Sequence, residues 1–364
     1  MELHLVGGFL GSGKTTAIIQ AARLLTKLGQ RVGIITNEQG KHLVDTAFIR
    51  SGGLPALEVT GGCICCNLDD FEQRVEEIAK RYASQIIFAE SVGSCADLVA
   101  TVIKPLSDFH KSSARPASLS VFADSRLLLR FLHGQELPFS EGVIYIFEKQ
   151  IEESGLVVVN KIDLLSEGDA HDVVHLAQAR YPEKQIRPQN SLDEGDVNGW
   201  LALIQSRTMA LPALSLDLDY DVYAAGEGKF AWLDRGIEMD FSGSDSGISV
   251  AALIGEIVSA FSVKDFHIAH LKFLVISQGQ TVKINQTGMD DFILANELDK
   301  VYELKGSRIS LLVNAMVEGD AALLEGQLNN IIIQFGEEKN IMIRETARFT
   351  RVPGYPKPTK RIGN

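Results

Sequence analysis

Residues Gly8 to Thr15, GFLGSGKT, satisfy the pattern GxxxxGK[ST] between a strand-like Leu3 to Val6 and a helical pattern from Lys14 to Leu28. That setting separates a phosphate-binding loop from a chance match. Glycines let backbone N–H groups, here from Gly8, Gly11, Ser12 and Gly13, turn inward around a triphosphate, and the helix start at Lys14, Thr15 and Thr16 adds a favourable dipole. Lys14 would reach the β and γ phosphates, and the Thr15 hydroxyl would ligate Mg2+. The plain alternative is a glycine-rich turn that caps a helix.

The base is read elsewhere. Val157 to Asp163, VVVNKID, ends a hydrophobic strand with NKxD. A carboxylate at Asp163 can accept hydrogen bonds from N1–H and the exocyclic amine of guanine, a donor pair that adenine lacks. Lys161 could lay its stem along the base, and Asn160 could tether this loop to the phosphate loop. A third polar cluster, Glu90-Ser-Val-Gly93, closes the strand Gln85 to Ala89. Phosphate-loop enzymes keep an acid there for Mg2+, held directly or through water, and the glycine can sense a γ-phosphate. Lys14, Thr15 and Glu90 are therefore the residues expected to carry catalysis.

Gly61-Gly-Cys63-Ile-Cys65-Cys66 points to different chemistry. The three cysteines are too close together for an ordinary disulfide framework. Soft thiolates select Zn2+, Cu+ and similar ions, and flanking glycines let three sulfurs converge on one ion. An incomplete shell suits an ion that is handed on. Buried structural cysteines and redox sensing are the competing readings. Cys95 offers a fourth sulfur, although one buried cysteine at a helix start more often packs.

The elements that must position these residues alternate. Further strands are predicted at Arg31 to Thr36, Ser118 to Ala123 and Leu156 to Val159, with helices at Asp69 to Tyr82, Ala96 to Phe109 and Gly168 to Arg180. The layout is α/β: a mostly parallel, doubly wound sheet over residues 1–210. LPALSLDLDY breaks the pattern, placing a linker at 211–222. Beyond it, strands at Phe230 to Phe241, Ile268 to Ile276, Val282 to Asn285, Ile309 to Val317 and Ile341 to Arg344 and helices at Ser249 to Phe261 and Ala321 to Ile333 give βαβ, ββ, αβ. That order suits a ferredoxin-like α+β domain over 223–348. The basic, proline-containing tail 349–364 is expected to be mobile.

Composition narrows the classes. Thirty-five Lys and Arg stand against 47 Asp and Glu, a formal charge of −12. An acidic chain lacks the field on which sequence-independent nucleic-acid binding draws and gains nothing from anionic lipid. No apolar run approaches the ~20 residues that span a bilayer. The start MELHLVGGFL has no basic region or cleavage site of a signal peptide. The expectation is a cytoplasmic protein without nucleic-acid or membrane partners.

GFLGSGKTT at Gly8 to Thr16, NEQG at Asn37 to Gly40, GGCICC at Gly61 to Cys66, ESVG at Glu90 to Gly93 and NKID at Asn160 to Asp163 together resemble the CobW-like metallochaperone GTPases, relatives of the nickel-delivering UreG and HypB GTPases. The resemblance covers about residues 1–210. It implies a GTPase that cycles between GTP and GDP with Mg2+ and couples its state to a transition metal (Zn2+, Co2+ or Ni2+) at Cys63, Cys65 and Cys66. It places Asn37 and Glu38 in switch I, where Glu38 would position water or join the metal shell. It also implies a client metalloprotein or cofactor-pathway enzyme, and a homodimer around nucleotide. Val92 and Cys95 depart from the expected ETTG-type segment, and the His-rich tract of many members is absent. With no arginine finger in view, slow intrinsic turnover is expected. Three rivals remain at this stage: a GTP-dependent chaperone for a corrinoid or other metallocofactor enzyme, a non-hydrolysing metal or thiol sensor, and a small-molecule kinase.

Overall fold

The computed structural model describes residues 1–364 apart from 38–43, 60–61, 110–113, 207–210, 243–244, 263–265 and 291–294. Two compact units emerge: unit 1 holds Met1–Gln39, Gly52–Gly226 and Pro356–Asn364, and unit 2 holds Gly40–Ser51 and Glu227–Tyr355.

The chain opens with β1 (Glu2–Gly8), α1 (Lys14–Lys27) and β2 (Val32–Asn37), followed by α2 (Val44–Ser51), which belongs to unit 2. Then come β3 (Ala56–Val59), α3 (Leu68–Tyr82), β4 (Ile86–Glu90), α4 (Lys104–Phe109), β5 (Arg115–Asp124), α5 (Ser125–Leu132) and α6 (Glu141–Glu153). Unit 1 continues through β6 (Leu156–Asn160), α7 (Glu167–Arg180), β7 (Gln185–Gln189), α8 (Glu194–Ile204) and α9 (Tyr220–Glu227). Its seven strands run parallel in the order β3-β2-β4-β1-β5-β6-β7. β2, β4 and β6 are buried at every residue, which explains their continuous Val and Ile runs: a parallel sheet covered on both faces has no solvent side to alternate toward.

The two edge strands left the weakest sequence signals. β3 has four residues, and β7 reads QIRPQ, whose Pro188 is tolerable only where no neighbour needs its missing N–H. The expected helix Ala96 to Phe109 starts late, as a π turn over Val99–Ile103 that runs into α4. Asp97 has φ +69° and interrupts any earlier helical turn. At the centre of the unit, Trp200 is fully buried between Phe88 and Phe122, and its indole N–H donates to Ser120 Oγ at 3.0 Å.

His4 on β1 is also fully buried, its Nδ1 2.8 Å from Ser118 Oγ, and burial pushes its pKa down to about 4. The unfolded chain therefore takes up this proton near pH 6.5 while the folded chain resists until about 4, so stability falls with pH across that window. The shift corresponds to about 3 kcal/mol. Denaturation curves from pH 7 to 4 should show the wild type losing about that much more than His4→Gln; parallel curves would refute a neutral, buried imidazole.

Unit 2 contains β8 (Phe230–Asp240), α10 (Ser246–Phe261), β9 (His267–Ser277), β10 (Gln280–Gln286), α11 (Ala295–Tyr302), β11 (Arg308–Glu318), α12 (Ala321–Lys339) and β12 (Met342–Arg351). The antiparallel order is β10-β9-β11-β8-β12. Without β10, the order β9-β11-β8-β12 is that of a ferredoxin-like βαββαβ sheet, and β10 extends it as a hairpin partner of β9. Phe261, Phe273 and Phe335 anchor its core. Lys272 on β9 and Lys283 on β10 have the opposite parity to the core residues Phe273 and Ile284, and both form ion pairs with Asp45 of α2.

Candidate functional site

Parallel pairing brings the ends of β1, β4, β5 and β6 to one edge of the unit 1 sheet, where open α/β sheets bind ligands. Val6 lies opposite Glu90, Gly8 opposite Phe122, and Asp124 opposite Asn160. The loop after β1 folds as its glycines require. Gly8 has φ +121°, and a Cβ there would meet Phe122 O at 2.1 Å; Gly13 has φ +88°, and a Cβ there would meet Asn160 Nδ2 at 2.3 Å. Any side chain would be strained at either φ, and at Gly8 it would also collide with backbone.

Within this loop Lys14 is buried and donates to the carbonyls of Gly8 at 2.8 Å and Phe9 at 3.1 Å. Ser12 is 1% exposed, and its hydroxyl has no hydrogen-bond partner among the described residues. A buried hydroxyl of that kind calls for an explanation, and a phosphate oxygen held by the loop would satisfy it. The Thr15 hydroxyl lies 3.0 and 2.9 Å from the two Glu90 carboxylate oxygens. A hydroxyl beside a carboxylate at a phosphate loop is the hard oxygen set that Mg2+ takes with nucleotide, so the residues fit the ion. Gly11 has φ +72°, and Thr16 is half-buried on α1.

Asn160 is 1% exposed and ties three segments together. Its Nδ2 donates to Ser12 O at 2.7 Å, and its Oδ1 accepts from the Ser191 N–H at 3.2 Å and hydroxyl at 2.7 Å. Lys161 takes φ +59°, with its ammonium 3.0 Å from Asp124 Oδ2. Burial raises the Asp124 pKa, but Lys161 and Arg126 outweigh it and hold the carboxylate below its usual range. Asp163 is exposed in the short turn Ile162–Leu164. Asp124 and Ser191 were missed by sequence reasoning; the sole signal for Ser191 was a polar turn after an edge strand.

The thiols form a second centre in unit 1. The sulfurs of Cys63, Cys65 and Cys66 all lie within 4.8 Å of one another. Cys63 and Cys65 are 2.7 Å apart, and Cys65 and Cys66 are 3.9 Å apart. Asn37, at the end of β2, holds the loop: its Nδ2 donates to Gly62 O at 2.8 Å, and its Oδ1 accepts from Ile64 N–H at 2.8 Å. Hydrogen bonds from the neighbouring thiols, Cys65 first, hold Cys63 well below its ordinary pKa. The same bonding, with Cys63 as the main partner, raises Cys65 well above it and Cys66 to about 11. The thiols are thus unequal, with Cys63 the one favoured to ionise, and a bound ion would displace the protons of the others. Glu38 and Gly40 lie outside the described residues.

The tail expected to be mobile is engaged with this loop. Thr359 donates from its N–H to Cys65 O at 3.1 Å and from its hydroxyl to Cys66 O at 2.7 Å, while the Lys357 N–H reaches the Cys66 sulfur. Arg361 donates to Asp97 Oδ2 at 2.7 Å, and Ile362 N–H donates to Ala100 O at 2.9 Å. These partners are distant in sequence, so composition alone could not distinguish a docked basic tail from a free one.

A parallel sheet with a phosphate loop after its central strand, an acid at the end of the adjacent strand and a thiol cluster in the same unit defines a P-loop nucleotide-binding protein that carries three clustered cysteines. Residues 2–187 match the model of the CobW/HypB/UreG nucleotide-binding domain. This chain belongs to that family. It is 29% identical over 183 residues to the zinc chaperone CobW of Sinorhizobium sp, covering 44% of this chain and 51% of that protein. It is 24% identical over 225 residues to the zinc-regulated GTPase metalloprotein activator 1 of Dictyostelium discoideum, covering 53% and 46%. The chain thus spans about half the length of these relatives. Among solved structures, HypB from Helicobacter pylori in complex with nickel is similar at a TM-score of 0.40 and 15% identity, covering 56% of this chain and 84% of that one. Among the described residues, no helix is long and apolar enough to cross a membrane.

Proposed function

We propose that this chain hydrolyses GTP to GDP and phosphate and uses its nucleotide state to bind and release a transition metal at Cys63, Cys65 and Cys66 for a client metalloprotein or cofactor-pathway enzyme. The observation that carries this reading is the cluster of three sulfurs within 4.8 Å in the same compact unit as the Thr15–Glu90 pair. Zinc is the favoured ion, because three thiolates suit it and the relative CobW is named a zinc chaperone.

The chemistry is positioning and electrostatics. Lys14 and the backbone N–H groups of Gly11 to Thr15 hold the phosphates, and Asp163 selects guanine. Thr15 and Glu90 would hold Mg2+, which neutralises charge developing on the transferred phosphoryl group. Coupling requires the metal to prefer one nucleotide state, since a ligand shifts an equilibrium only through differential affinity. The coupling is reciprocal: if GTP tightens metal binding, the metal tightens GTP by the same factor.

Competition against a chromophoric chelator, with Zn2+, Co2+ and Ni2+ and with no nucleotide, GDP or a non-hydrolysable GTP analogue, tests the proposal. Metal affinity should differ several-fold between nucleotide states and vanish when Cys63, Cys65 and Cys66 are all changed to Ser. Affinity that is absent, or the same in every state, overturns it.

A further inference from the structure

Cys95, 29 residues beyond Cys66 in sequence, comes up to the three-cysteine cluster through Cys65, although its sulfur is not within 4.8 Å of all three of the others. Cys95 is 1% exposed, and its sulfur lies 3.4 Å from that of Cys65. A buried cysteine acting only as a small apolar group would be expected to meet carbon; this one meets the central sulfur of the cluster. Four sulfurs about 2.3 Å from a zinc ion stand about 3.8 Å apart at the corners of a tetrahedron. The Cys65–Cys66 and Cys65–Cys95 separations of 3.9 and 3.4 Å bracket that value; the Cys63–Cys65 pair, at 2.7 Å, would open by about 1 Å, and the Cys95 sulfur, which is not within 4.8 Å of all the others, would close on the ion.

The segment carrying Cys95 is held from several sides. The buried Gln150 donates from Nε2 to the carbonyls of Gly93 at 3.0 Å and Cys95 at 2.9 Å. The Tyr223 hydroxyl bridges Ser94 O and the Ala96 N–H, at 3.2 Å to each. Asp97 keeps its left-handed conformation, with its carboxylate bound by Arg361 at 2.7 Å and Tyr220 at 2.8 Å. A left-handed non-glycine residue costs about 1–3 kcal/mol and persists only where its surroundings over-determine it. Such support is what a precisely placed ligand needs.

Building on the metal-binding reading above, we infer that Cys95 is a fourth ligand, so that the ion sits in a four-sulfur shell of Cys63, Cys65, Cys66 and Cys95. The fourth sulfur comes from the segment next to the nucleotide site. Cys95 follows Glu90 by five residues, and a Cβ on Gly93 would sit 2.7 Å from the Leu10 side chain of the phosphate loop. A displacement of this segment with nucleotide state would add or withdraw one thiolate, giving the metal unequal affinities in the two states.

X-ray absorption at the zinc edge of the zinc-loaded, nucleotide-free 364-residue chain, together with chelator competition, tests this assignment. Four sulfurs at about 2.3 Å are expected in the wild type. Cys95→Ser and Cys95→Ala should show three sulfurs with one lighter atom or none, and at least tenfold weaker zinc binding, with melting curves showing that each variant folds. Three sulfurs in the wild type, or four in either variant, overturn the assignment while leaving the three-cysteine site intact. A wild type that binds no zinc overturns both. The wild-type sulfur count decides the matter even if neither variant folds.

Discussion

Asp163→Asn is expected to weaken GTP binding by about 10²- to 10⁴-fold while raising affinity for a xanthine nucleotide. The carboxylate accepts from two donors on guanine, and hydrogen bonds to a charged acceptor contribute about 1.5–3 kcal/mol each. The amide offers an acceptor to N1–H but turns a donor toward the exocyclic amine, leaving two donors opposed. Xanthine carries a carbonyl where guanine carries that amine, so the amide suits it, and sites built on directed hydrogen bonds discriminate strongly between such analogues. Because Asp163 is exposed, stability should change by no more than about 0.5 kcal/mol, so a binding loss cannot be attributed to unfolding. Calorimetric titration with guanine, xanthine and adenine nucleotides checks this. GTP affinity unchanged in the variant, or ATP bound as tightly as GTP by the wild type, refutes the assignment of Asp163.

The second large effect is in unit 2. Asp45 on α2 is 2% exposed and forms ion pairs with Lys272 at 2.6 Å and with Lys283, whose ammonium also lies over the Phe48 ring. Burial opposes its ionisation, but the two lysines outweigh that and hold the carboxyl far below the usual range. Its contribution to stability is therefore present above the unfolded-state value near 3.9 and persists through mild acid. Asp45→Ala leaves two ammonium groups without their shared partner and should cost about 3–5 kcal/mol. Hydrogen exchange of the amides in β9 and β10 measures the loss, and an unchanged exchange rate contradicts it. Adding Lys272→Met and Lys283→Met to Asp45→Leu should recover most of the stability, because a well-packed apolar set replaces a buried ion cluster at little cost.

Much of the nucleotide site was legible because its determinants are local. Gly8 and Gly13 are favoured by left-handed backbone conformations that strain other residues, and the loop must sit between β1 and α1 to work. The same holds for the buried strands and for the βαβ, ββ, αβ order of unit 2, where hydrophobic runs and turn residues act over a few positions. β3 and β7 were not legible, since short edge strands need neither continuous apolar runs nor a full set of backbone donors.

By itself, the sequence determined the glycine loop between β1 and α1, the NKID turn after β6, the cluster of three cysteines and the two sheet types, because each follows from residue chemistry within one segment. Tertiary structure alone decided that α2 belongs with unit 2, that Asn160 joins Ser12 to Ser191, that Cys95 reaches Cys65, and that Thr359 closes on a loop 293 residues away. These are pairings between residues whose own neighbourhoods are unremarked: one carboxylate among 47 acids, one cysteine after a serine, one threonine in a tail. No periodicity records such a pairing, because its free energy exists only once the chain between the partners has folded and brought them out of water together.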